Sequence, residues 1–218
     1  VPLPIESIVF VPSAIANPVV AQRSEEMIYT TMALLREGKN CNRLSLVEYE
    51  AIKDAVGARY GRGKIPFGEL TKAVGAGTAI LALRVCLPEE ERDALARDLS
   101  LSFAQQAAKI YLGRHPKDLR VQISLAALSE VVALGDRARQ KDWVTARESV
   151  GQAVDEFLHK QGHGVLSRDY QAAATVKSAI RASAADAVCE SMLHLNLVIV
   201  DGKEARDTFH EAVQHFCL

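Results

Sequence analysis

The chain has too little of several things to support common chemistries. Its four cysteines, Cys41, Cys86, Cys189 and Cys217, are scattered and form no CxxC pair. A structural zinc site needs clustered ligands, and a disulfide scaffold needs more cysteines in a shorter chain. Buried thiols in a reducing compartment are the expectation. Neither charge sign dominates: 26 Lys and Arg stand against 27 Asp and Glu, for a net charge of −1. A dedicated nucleic-acid binder usually shows a clear basic excess. No stretch reaches the roughly 18 uncharged apolar residues of a membrane span. The apolar start "VPLPIESIVFVPSAIANPVVAQ" lacks a basic n-region and carries Pro2, Pro4, Pro12, Pro18 and Glu6, so it does not read as a signal peptide. These features point to a cytoplasmic protein.

Prolines every few residues forbid a single helix over residues 1–21. This segment reads as an extended apolar arm, with residues 22–218 as one helical domain. Ile5, Ile8, Val9, Phe10 and Val11 lie in the arm. An element this apolar must dock, and a homodimer through those residues is the expectation if it docks on a second copy.

Beyond the arm the pattern is helical. "SEEMIYTTMALLREG" predicts a helix capped by Ser24, with Arg36 near its end and Gly38 beyond it. "SLVEYEAIKDAVG" predicts another, capped by Ser45, with Glu48 at the capping-box position and Gly57 as its stop. A third runs from near Phe67 to Cys86. Pro88 and Glu89–Glu90–Glu91 suit a first turn, and Leu95, Leu99, Phe103, Ala107 and Ile110 follow at helical spacing. Pro116 opens "PKDLRVQISLAALSEVVALG", whose apolar residues surround most of the circumference and predict a central core helix. In "DWVTARESVGQAVDEFLHKQG", Val144, Val150, Val154 and Leu158 are the predicted inward residues. Ser167 caps one long helix over "RDYQAAATVKSAIRASAADAVCESMLHL". "LNLVIV" fits a helix tail or a strand, and "KEARDTFHEAVQHF" closes the chain. The expected fold is all-α: an antiparallel bundle or stacked array of about eight helices, the abundant alanines letting axes approach.

The densest glycine cluster, "VGARYGRGKIPFGELTKAVGAGTAI", contains Gly63–Lys64. A Walker A loop also needs a glycine five residues earlier, where Ala58 stands, and a hydroxyl after the lysine, where Ile65 stands. The helical segment before it supplies no strand. "VGAGTAI" has no third glycine at the Rossmann spacing. Gly75 and Gly77 read instead as helix positions allowing close packing, each costing about 1 kcal/mol relative to alanine. Arg59, Arg62 and Lys64 form an exposed basic turn, a candidate contact for an acidic partner or a phosphate backbone.

The six histidines give neither HExxH nor a metal-ligand spacing. "HEAVQH" has one residue too many, and His159 and His163 straddle a loop. No GxSxG elbow occurs. Cys189 and His194 are poorly spaced for a nucleophile and its base. A helix-turn-helix around the basic turn would need a loop of about three or four residues, and this one is about ten. No cofactor is implied.

Between Glu69 and Glu190 the layout resembles the all-α immunity proteins of bacterial toxin systems. The similar pieces are "ELTKAVGAGTAILALRVCLP", "HPKDLRVQISLAALSEV" with its P-x-D-x-R start at Pro116, Asp118 and Arg120, "TARESVGQAVDEF" and "AATVKSAIRASAADAV". The segment "EEERDALARDLSLSFAQQAAKIYLG" is an insertion relative to that family, and the first 68 residues have no counterpart in it. The resemblance implies a protein that binds and neutralises a partner without catalysis. The alternatives are a nucleic-acid-associated regulator working through residues 59–64, and an enzyme whose site is dispersed over the helical core.

Overall fold

The computed structural model describes residues 28–161 and 167–199. Residues 1–27, with the proposed arm, and 200–218, with the last expected helix, lie outside the described residues, as do Cys217, His163, His210 and His215. The described chain is all-α apart from one two-stranded ribbon, β1 (Tyr29–Thr30) against β2 (Ile65–Pro66).

β1 corrects the first expected helix. "YTT" is β-branched and aromatic, and it is extended here. Tyr29 faces Pro66 and Thr30 faces Ile65, antiparallel, while Tyr29 also exchanges two backbone hydrogen bonds with Leu87 at 2.7 Å each. Thr31, not Ser24, caps α1 (Met32–Asn40), its side chain accepting from Leu34 N at 3.2 Å. Gly38 is therefore inside α1 and buried. A Cβ there would overlap Val85 Cγ1, so the glycine allows α1 to lie directly on the 3₁₀ turn Leu83–Val85.

Ser45 caps α2 (Leu46–Ile52) as expected, accepting from Glu48 N at 3.4 Å. Gly57 does not stop it. The chain passes through a π-helical turn, Lys53–Gly57, into α3 (Ala58–Tyr60) and leaves the helix at Gly61. α4 (Phe67–Ala82) breaks at Gly75, with φ 80° and ψ 162°. No atom lies within 4 Å of a Cβ built at Gly75 or Gly77, so close packing is not their role. Gly75 is a kink that only glycine adopts cheaply.

α5 (Glu89–Arg114) runs the length of the bundle, three glutamates at its positive end. It buries Ala96, Ser100, Phe103, Ala104, Ala107, Ala108 and Tyr111 at helical spacing, and packs on α6 (Arg120–Leu134), α8 (Arg168–Ala179) and α9 (Ala184–Ile199). α7 (Gln140–Gln161) packs on α6 and α8. The two apolar predictions for α6 and α7 need correction. α6 starts at Arg120, after a turn through Pro116, and it is peripheral: Val121, Ser124, Leu128 and Val131 face inward, the opposite face solvent. On α7, Val150 and Val154 are buried with Ala146 and Ala153, but Val144 and Leu158 are exposed.

Ser167 caps α8, accepting from Tyr170 N at 3.1 Å. The single long helix expected after it is two. The chain turns at Ile180–Ser183, and Ser183 Oγ accepts from Asp186 N at 3.3 Å to start α9. "LNLVIV" continues α9 as far as Ile199.

Candidate functional site

The β1–β2 ribbon, α3 and α4 hold the basic turn. Arg59, Arg62 and Lys64 are all exposed there. Two are already engaged. Arg59 Nη1 lies 3.0 Å from Glu69 Oε2, its guanidinium 5.0 Å from the Tyr60 ring centroid. Lys64 Nζ sits 4.0 Å over Tyr29. Glu69 also receives Lys72 at 3.0 Å, and Lys72 chiefly, with Arg59, holds its carboxyl below the ordinary range. Internal pairing thus draws on the positive field that a phosphate backbone would require. The second predicted interface, Ile5, Ile8, Val9, Phe10 and Val11, lies outside the described residues.

Cys86, Cys189 and His194 are core groups, whereas Cys41 is exposed, contrary to the expectation of buried thiols. Cys86 Sγ donates to Ala82 O at 3.3 Å and Cys189 Sγ to Ile80 O at 3.5 Å, and burial pushes both thiols up to about 12. Neither is a thiolate at neutral pH. His194 Nδ1 donates to Gln171 Oε1 at 2.7 Å, and burial chiefly, with Arg181, lowers the imidazole to about 4. Among the described residues no group of His, Cys, Asp and Glu is placed to hold a metal ion.

The Pro116–Asp118–Arg120 segment forms a polar clasp at one end of the bundle. Asp118 accepts from Arg120 N (3.1 Å), Arg120 Nε (2.9 Å), Arg120 Nη2 (2.6 Å) and Tyr111 Oη (2.6 Å). Arg120 Nη1 reaches Glu156 on α7 at 2.8 Å. Arg120's hydrogen bonds hold the Asp118 carboxyl well below the usual carboxylate range, and burial with Asp118's bond pushes the Tyr111 phenol up. His115 Nε2 lies 3.1 Å from Asp169 Oδ2 on α8, without aligning for a hydrogen bond. Apart from His115 Nε2, these partners satisfy one another across α5, α6, α7 and α8. The clasp joins α5 to α6, α7 and α8.

The feature missed from sequence is the outer face of α6. Leu119 is 55% exposed, Ile123 54% and Leu134 38%. With the exposed Ala126 and Ala133 they make a stripe along one side of the helix, interrupted by Gln122 and Glu130. Those two polar residues were the available signal, because a helix buried on all sides would not carry Glu130. In comparisons with protein-family models, characterised proteins and solved structures, the chain matches none.

Proposed function

We propose that this chain is a non-catalytic protein-binding module whose partner packs on the solvent face of α6. The stripe of Leu119, Ile123, Ala126, Ala133 and Leu134 is the observation that carries the reading. Single exposed apolar residues are common on any surface, but several along one helix face, with polar residues among and around them, are what interaction sites display. The sharper form of the proposal is an immunity-type inhibitor, and it rests on the resemblance at Pro116, Asp118 and Arg120. In that form the clasp would fix the start of α6 and so present the stripe rigidly.

The test is affinity capture from the native host with the wild-type chain and Ile123→Glu. The expected result is one stoichiometric protein that the variant fails to retain, with unchanged far-UV circular dichroism. Capture indifferent to Ile123→Glu and Leu119→Asp would overturn the assignment of the face. Salt-released nucleic acid in place of a protein would overturn the reading itself.

A further inference from the structure

A second surface is distinguished by charge. The turn between α8 and α9 faces the first turns of α7 across an open cleft of about 320 Å³, lined by Gln140, Trp143, Arg147, Arg181, Ser183 and Asp186 among others. Two guanidinium groups, those of Arg147 and Arg181, line it, and two more bond to its lining residues. Arg97, from α5, donates to Arg181 O and Ala182 O and stacks 4.0 Å over the Trp143 ring. Arg84 Nε meets Asp186 Oδ1 at 2.9 Å, and Arg181 pairs with Glu190. The fourth is Arg147. Its Nε is buried without a hydrogen-bond partner among the described residues, and the same holds for Arg181 Nε.

Within the lining, Arg147 and Arg181 stand against Asp186, which leaves a small positive excess there. A buried guanidinium donor without an acceptor is costly. The group that meets it best is a planar or tetrahedral oxyanion, because two of its oxygens match the guanidinium fork. α9 begins at Ala184 on the rim, and its positive end adds to the same field. Trp143 supplies a flat apolar wall for the remainder of the ligand.

We propose that this cleft binds a ligand carrying a carboxylate or phosphate, with Arg147 as the forked donor and Arg181 as the second contact. The site does not depend on the α6 face. Trp143 is the chain's one tryptophan, so its emission reads occupancy directly. The experiment titrates the full chain with inorganic phosphate and, separately, with succinate, each against sodium chloride at matched ionic strength. The expected result is a saturable change in Trp143 emission for at least one probe. Binding should weaken at least tenfold in Arg147→Ala and by less in Arg147→Lys, which keeps the charge but loses the fork. The responding probe names the class: phosphate indicates a phosphoryl ligand, succinate a carboxylate. No saturable response beyond chloride would overturn the proposal, as would saturation that is unchanged in Arg147→Ala. Should Arg147→Ala melt early, Arg147→Gln serves the same comparison, because it preserves most of the side chain's packing and removes the charge.

Discussion

Residues 28–87 and the bundle α5–α9 fill their interiors differently. The first region buries Ile28, Leu35, Leu44, Ile52, Ile65, Leu70 and Leu83 around short helices and a two-stranded ribbon. The bundle buries Ala96, Ala104, Ala107, Ala108, Ala146, Ala153, Ala172, Ala173, Ala174, Ala179, Ala184 and Ala187. Large side chains hold irregular backbone apart and fill the space between. Small ones let long helices meet closely, so stability comes from many contacts along each axis. The polar interior divides the same way. Thr30 is the buried polar residue described in the first region, whereas Ser100, Ser124, Gln171, Thr175, Ser178 and Ser191 are buried in the bundle. Several of these return their hydroxyl to their own helix, Ser100 to Ala96 O at 2.6 Å and Thr175 to Gln171 O at 2.8 Å. A short hydroxyl can satisfy itself in this way without opening the interface.

The contrast can be broken by exchanging the size rules. Leu70→Ala should be the most damaging change, costing about 2–5 kcal/mol in urea denaturation, because a fully buried leucine leaves a cavity. A loss of less than about 1 kcal/mol there would mean that the first region collapses around the gap and is not tightly packed.

The pH dependence should belong to the bundle. His194 titrates near 6.5 when unfolded but at about 4 when folded, so below pH 6.5 the unfolded chain binds the extra proton. Stability should therefore fall as pH drops from about 6.5 to about 4, by up to roughly 3 kcal/mol in total. His194→Gln should flatten that slope in a series of urea midpoints, and an equally steep slope in the variant would assign the effect elsewhere.

Ala173→Leu tests the opposite rule. It adds volume where the helices touch and should cost about 1–3 kcal/mol, although leucine is the more hydrophobic residue. The smallest effect should be Gly38→Ala, at about 1 kcal/mol or somewhat more, since alanine gains helix propensity but meets Val85. Val85→Ala in the same chain should recover part of the loss. Additive losses in that double-mutant cycle would show that the two residues do not oppose each other.

What was legible in the sequence follows from local chemistry. The helical class, the caps at Ser45 and Ser167 and the start at Glu89 need only neighbouring residues to be read. The face of α6 was not legible, because alanines and valines spread around its circumference blur the helical period. The break after Ala179 was hidden in "SAIRASAAD", where every residue tolerates a helix and only the Ser183–Asp186 spacing marks a new cap. The Arg147 cleft was out of reach for a different reason. Its groups come from α5, α7 and the α8–α9 turn, and nothing in a linear pattern brings them together. The basic turn was legible as a turn, but the pairing of Arg59 with Glu69 depends on the kinked helix that follows.

The place of β1 bears on how the chain is made. Tyr29 and Thr30 lie between Ile65–Pro66 on one side and Leu87 on the other. During synthesis this early segment waits for both partners to leave the ribosome, and its backbone donors face water until then. Pairings of such long sequence separation form late and slow the search. A chaperone or nascent-chain contact that shields residues 28–30 would therefore act on the yield of folded protein and leave its final stability unchanged.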